Sequence, residues 1–141
     1  MALAQPVNIM PATVPGPQTP MPLRVLVVDD DERSGRKLAD LLRRDGFVME
    51  VCRGGLAGVQ RLTLDPAPDV LVTDLRMPQI DGVTVARLAR TRSPTMPILI
   101  VTAYPDLACH LDGADPMPQI FIKPLDYPAL VGTLRALPKT A

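Results

Sequence analysis

The sequence predicts an α/β fold built on a doubly wound, five-stranded parallel sheet. Three observations lead there. Apolar runs without alternation, at Arg24–Val28, Val70–Thr73 and Pro97–Thr102, are the pattern of strands covered on both faces. Segments of helical period alternate with them through short links. Chemistry-bearing residues also stand where these runs end: Asp29 and Asp30, Asp74, Thr102, and Lys123 after a shorter run. In such sheets function gathers at the carboxyl ends of the strands.

At 141 residues the chain has one domain's worth of length, and 47% hydrophobic residues can supply a core. Its 15 basic and 15 acidic residues cancel, so charge offers no reason to expect nucleic acid or a membrane surface as partner. No apolar run approaches the length of a membrane span. Cys52 and Cys109 stand far apart, in no metal-like spacing, which fits a reducing cytoplasm. One histidine, His110, and no tryptophan argue against a His-dependent triad or a zinc site.

Residues 1–23 are uncharged and hold six of the 17 prolines, so a flexible tail is expected. The stretch lacks the basic start of a signal peptide, and Met21 would serve as an alternative start. Arg24–Val28 is the first strand. A helix comes next, with Leu38, Leu41 and Leu42 on its inner stripe and Gly46 at its C-terminal cap. Phe47–Cys52 reads as the second strand. Gly54 and Gly55 open a helix carrying Leu56, Val59 and Leu62, which stops before Asp65-Pro66-Ala67-Pro68. After the third strand, Val70–Thr73, a loop closed by Pro78 and Gly82 leads to a helix over 83–91 burying Val85, Leu88 and Ala89. The fourth strand is Pro97–Thr102. Between it and the fifth strand, Gln119–Ile122, only Asp106–Leu111 can be helical, because Gly113, Pro116 and Pro118 prevent the helix from continuing past Leu111. Asp126 caps a last helix with Pro128 in its first turn and Leu130, Leu134 and Leu137 inside. The domain is expected over 24–137, with a short tail, 138–141, after it.

Three carboxylates, Asp29, Asp30 and Asp74, are expected at one end of this sheet. At about 4 Å and an effective dielectric of about 20, each like-charge pair repels by roughly 4 kcal/mol. Either their pKa values split or a hard cation sits among them, and an all-oxygen set favours Mg²⁺. Lys123 would pair with Asp74 and, with the Thr102 hydroxyl, hold phosphoryl oxygens. The parts fit phosphoryl transfer to the Asp74 carboxylate. Asp31 and Asp81 read instead as helix-start residues.

From about Arg24 to Leu137 the chain resembles the receiver domain of bacterial response regulators, the CheY-like family. The matching pieces are Val25-Leu26-Val27-Val28-Asp29-Asp30-Asp31, the run from Asp74 through Met77-Pro78 to Asp81-Gly82, Ile100-Val101-Thr102-Ala103, and Ile122-Lys123-Pro124. The resemblance implies the flavodoxin-like strand order 2-1-3-4-5 and a single-domain response regulator of a two-component or phosphorelay system. Asp74 would accept a phosphoryl group from a histidine kinase or phosphotransfer protein and switch the binding of a downstream protein. Direct Mg²⁺ ligands would be Asp30, Asp74 and the backbone carbonyl of Arg76, with Asp29 acting through a metal-bound water. A cis Lys123-Pro124 bond is also implied.

Three positions depart from the family pattern. Ile120 stands where the family usually has an aromatic, and Phe121 should face the other side of its strand. The 105–118 segment is irregular where the family has a helix. Arg76 and Tyr104, two residues after Asp74 and Thr102, are bulky at positions flanking the path of a hydrolytic water, and a slowly hydrolysed phosphoryl group is expected. Two other readings remain open. An Asp-nucleophile phosphatase of the haloacid dehalogenase type wants an acid where Arg76 stands. A receiver fold that binds partners without switching would account for Ile120 and the broken helix.

Overall fold

The computed structural model describes residues 22–138. Residues 1–21 of the tail expected over 1–23, with the alternative start at Met21, and most of the tail at 138–141 therefore lie outside the described residues. Packing begins at Leu23, which is buried and whose carbonyl accepts the Val48 N–H at 3.0 Å.

The elements run β1 (Arg24–Val28), α1 (Glu32–Arg44), β2 (Val48–Cys52), α2 (Gly55–Leu62), β3 (Val70–Thr73), α3 (Gly82–Arg92), β4 (Ile98–Thr102), a 3₁₀ helix (Pro105–Leu111), β5 (Gln119–Ile122) and α4 (Tyr127–Ala136). All pairings are parallel, in the order β2-β1-β3-β4-β5. Every residue of β3 and β4 is buried, as their unbroken apolar character requires of strands covered twice. One face carries Val25, Val27, Val72, Leu99 and Val101 against Ala39 and Leu42 of α1 and Leu130 and Leu134 of α4. The other packs Leu26, Leu71 and Ile100 against α2, α3 and Leu111 of the 3₁₀ helix.

Local chemistry sets the helix ends. The carboxylates of Asp31, Asp81 and Asp126 each accept N–H donors from the first turn they precede. Gly46 lies just past the end of α1 with φ 95°, a conformation that side chains resist.

Several side chains depart from their expected places. In α2, Leu56 is exposed, Val59 half-buried and Leu62 buried. That helix lies so close to its neighbours that glycine forms its contact face. A Cβ at Gly58 would fall 2.9 Å from Val28 Cγ2, and one at Gly55 would fall 2.0 Å from the Ile80 carbonyl oxygen. In α1 the buried stripe is Gly35, Ala39 and Leu42, and Leu38 and Leu41 are only half-buried. Leu137 is the half-buried C-cap of α4. β2 begins at Val48, with Phe47 packed just ahead of it. The 105–118 segment forms the short 3₁₀ helix and otherwise turns.

Candidate phosphoacceptor site

Strand register brings the site together. Val28 lies beside Thr73 and Thr102 beside Ile122, so the next residues, Asp29, Asp74 and Lys123, emerge at one edge of the sheet. The ladder continues one step past the strands. Asp74 donates its N–H to the Val28 carbonyl at 3.1 Å, Asp29 to Cys52 at 3.1 Å, and Lys123 to Thr102 at 2.9 Å. Both carboxylates are thereby held by regular backbone rather than by a free loop.

The Lys123 ammonium joins them. Its Nζ is 2.8 Å from Asp74 Oδ2 and 3.8 Å from Asp29 Oδ2. The remaining oxygens take main-chain donors: Asp74 Oδ1 accepts the Leu75 N–H at 2.7 Å, and Asp29 Oδ1 accepts the Asp31 N–H at 2.9 Å. Asp29 is 8% exposed, and burial pushes its pKa up against the downward pull of the Asp31 N–H and of Lys123. Burial alone would lower the Lys123 pKa. The hydrogen bond and charge of Asp74, with the fields of Asp29 and Asp31, outweigh it and hold the ammonium protonated.

The three carboxylates expected to converge are, in the structure, a pair plus one. Asp30 is exposed, and among the described residues no three His, Cys, Asp or Glu side chains form a ready cage. The Lys123 ammonium bridges the other two. The set is nonetheless built around positive charge and is wholly oxygen, the donor type a hard divalent cation takes.

Thr102 is fully buried, and its Oγ1 accepts the Tyr104 N–H at 2.9 Å. Tyr104 in turn lies under Arg76, whose Cζ is 4.7 Å from the ring centroid. The two bulky side chains are thus one stacked unit spanning the loops after β3 and β4. On β5, Ile120 is 38% exposed beside the 3₁₀ segment, while Phe121 packs on the opposite face with Val101 and Leu130. The Lys123-Pro124 bond is cis.

Sequence reasoning missed Gly82 as part of the site's frame. Its N–H donates to the Leu75 carbonyl at 2.7 Å, and a Cβ there would fall 1.9 Å from the Asp74 carbonyl oxygen. The Asp81-Gly82 pair signals a turn. Nothing local signals that the turn is pressed against the strand end bearing Asp74.

Comparison with known proteins places the chain in a family. Residues 25–135 match the family model for the response regulator receiver domain. Response regulator MprA of Mycobacterium ulcerans is 33% identical over 118 residues, which is 83% of this chain and 50% of that protein. A response regulator receiver protein of Sinorhizobium medicae superposes with TM-score 0.72 at 29% identity, over 81% of this chain and 92% of that one. The response regulator TrrA of Thermotoga maritima, solved in complex with Mg²⁺-BeF, shares the fold at TM-score 0.70 and 23% identity, covering 80% of this chain and 96% of its own. The chain belongs to the response regulator receiver domain family. It spans about half the length of the MprA relatives it matches. No described helix is long and apolar enough to cross a membrane.

Proposed function

We propose that this domain is a phosphoacceptor switch in a two-component or phosphorelay system, with Asp74 as the acceptor. The observation that carries the reading is the half-buried Asp74 carboxylate, gripped by Lys123 at 2.8 Å with Asp29 alongside, in a chain of the receiver family. A carboxylate oxygen of Asp74 attacks the phosphorus of a phosphohistidine on a histidine kinase or phosphotransfer protein. The N–P bond breaks, its electron pair returns to the imidazole, and an acyl phosphate forms on Asp74. Lys123, freed from the carboxylate charge it now neutralises, is placed to take phosphoryl oxygens. The Thr102 hydroxyl, now accepting from Tyr104, is the donor for another.

Asp29, Asp30 and Asp74, with the Arg76 carbonyl, are the residues that would hold Mg²⁺. Bound there, the ion supplies charge neutralisation for the transferred group. Output is the altered binding of a downstream protein, in the cytoplasm and without direct contact to nucleic acid. With Arg76 in place of a second acid, no phosphatase turnover is expected. Incubation with acetyl phosphate and Mg²⁺ should add one phosphoryl mass to the wild-type chain and none to Asp74→Asn. Labelling of Asp74→Asn at the wild-type level would overturn the assignment.

We expect the Arg76–Tyr104 stack, which joins the loops after β3 and β4, to keep water from the acyl phosphate. Replacing both, Arg76→Asn with Tyr104→Glu, should shorten the phosphoryl lifetime roughly tenfold, about 1.4 kcal/mol of barrier. A wild-type lifetime of seconds, unchanged in the double variant, would refute this. Exposed Ile120 and the short 3₁₀ helix favour one second reading, a receiver fold that binds its partner in both states. Partner affinity that phosphorylation leaves unchanged would establish it.

A further inference from the structure

At the end of β4 opposite Thr102, α3 and the irregular segment after the 3₁₀ helix line an open cavity of about 400 Å³ reached by Arg87, Arg90, Thr91, Leu111, Asp115 and Pro118. Its charge is unusual. Arg87 and Arg90, three apart on α3, both line it, and neither is ion-paired with a carboxylate of the described residues. Each is instead anchored by one hydrogen bond to a main-chain carbonyl at 2.8 Å, Arg87 to His110 and Arg90 to Met96. These bonds fix both guanidinium groups without neutralising them. Arg90 Nη2 has no hydrogen-bond partner and is closed off from solvent.

A buried donor left unmatched costs free energy and calls for an explanation. Arginines in the last turns of α3 complement the helix C-terminus, which explains their charge but not the inward, unmatched arm. Burial lowers the Arg90 pKa, and Asp115, the one carboxylate on the cavity wall, offsets this from too far away to form an ion pair.

We propose that this cavity is a binding site for a small oxyanion, a phosphate or carboxylate group on a small molecule, held by the Arg90 guanidinium with Arg87 beside it. The planar fork of arginine matches either group with two parallel hydrogen bonds. The volume falls in the range of small-molecule sites, and Leu111, Ile98 and Pro118 supply apolar wall. The turn before Asp115 is held by one main-chain hydrogen bond, from the Ala114 N–H to the Leu111 carbonyl at 3.1 Å, so a slight displacement opens Nη2 to the ligand. The cavity lies beside the 105–118 segment, where a short 3₁₀ helix stands in place of the family's helix. It is independent of whether Asp74 is phosphorylated.

The test is titration of the metal-free, full-length chain with pyrophosphate and, separately, with citrate, monitored by amide chemical shifts. At least one of the two should bind with shifts centred on 86–91 and 111–118. Tighter pyrophosphate would assign a phosphate ligand and tighter citrate a carboxylic acid. Arg90→Gln and Arg90→Lys should each weaken binding about tenfold, the latter because it keeps the charge but loses the fork. Arg87→Gln should weaken it severalfold, and Asp115→Asn should tighten it severalfold by removing a like charge. Arg92→Gln, on the same helix but paired with Asp65, should change nothing. Unchanged affinity in both Arg90→Lys and Arg87→Gln, equal loss in Arg92→Gln, or no binding of either anion would overturn the proposal.

Discussion

The two flanks of the central β1–β3 pair are finished differently. Toward β2, α1 is capped by the Asp31 carboxylate, α2 lies close enough to need glycine at its contact points, and Arg61 grips Glu50 through two nitrogens at 2.8–3.0 Å. Toward β5 the sheet ends in a four-residue strand bracketed by Pro118 and Pro124, beside a single 3₁₀ helix. Met117, Ile120 and Ile122 are left exposed there. The two carboxylates of the candidate site follow the central pair itself, and the hydroxyl and lysine reach in from the β4–β5 flank. Tight packing is thus concentrated where charges must be held at fixed separation, and the flank beyond Thr102 is free to be irregular.

The largest effect expected from this contrast is at Gly82. Gly82→Ala forces a methyl group onto the Asp74 carbonyl, where backbone rather than a flexible side chain must give way. Chemical denaturation should show a loss of about 3 kcal/mol, with acetyl phosphate labelling impaired. A loss below about 1 kcal/mol would mean the loop yields easily and the frame is not rigid. Gly132, exposed in α4 with nothing within 4 Å of its would-be Cβ, is the internal control. Gly132→Ala should stabilise by about 0.5–1 kcal/mol, since only helix propensity changes.

Between these lies Tyr127, which closes the α1–α4 layer by donating its hydroxyl to Asp45 at 2.6 Å. Burial and this hydrogen bond push its pKa up to about 12. A phenol whose folded pKa is raised contributes stability that is fully present below its ordinary pKa near 10 and lost as pH climbs to about 12. Tyr127→Phe should therefore cost about 1 kcal/mol at neutral pH. The difference from wild type should shrink over that alkaline window. A phenolate absorbance titrating near 10 would contradict the bond's strength.

The smallest effect belongs to the open flank. Ile122 is 58% exposed, so Ile122→Thr should move stability by no more than about 0.5 kcal/mol. A loss of about 2 kcal/mol would show that the β5 edge is covered in solution and that the contrast between flanks is only apparent.

Much of this was legible in local pattern. Apolar runs locate β1, β3 and β4 to within a residue, because a strand buried twice admits no polar interruption. Asp31, Asp81 and Asp126 announce helix starts, because a cap needs only its own chain to act. The prolines and glycine after Leu111 exclude a regular helix before β5, since each breaks backbone hydrogen bonding where it stands. Close approach at Gly55 and Gly58, which no local pattern announces, puts glycine rather than Leu56 on the buried face of α2.

By itself, then, the sequence determined the order of the elements, their ends, and the set of residues delivered to one edge of the sheet: Asp29, Asp74, Thr102 and Lys123. Only the tertiary structure decided how they meet. Lys123 bridges Asp74 and Asp29 while Asp30 stays exposed, Thr102 is turned to Tyr104, Arg76 stacks on Tyr104, and Arg90 points an unmatched nitrogen inward. Those are distances between elements far apart in the chain. They are set by strand register and helix approach, which no single stretch of residues contains.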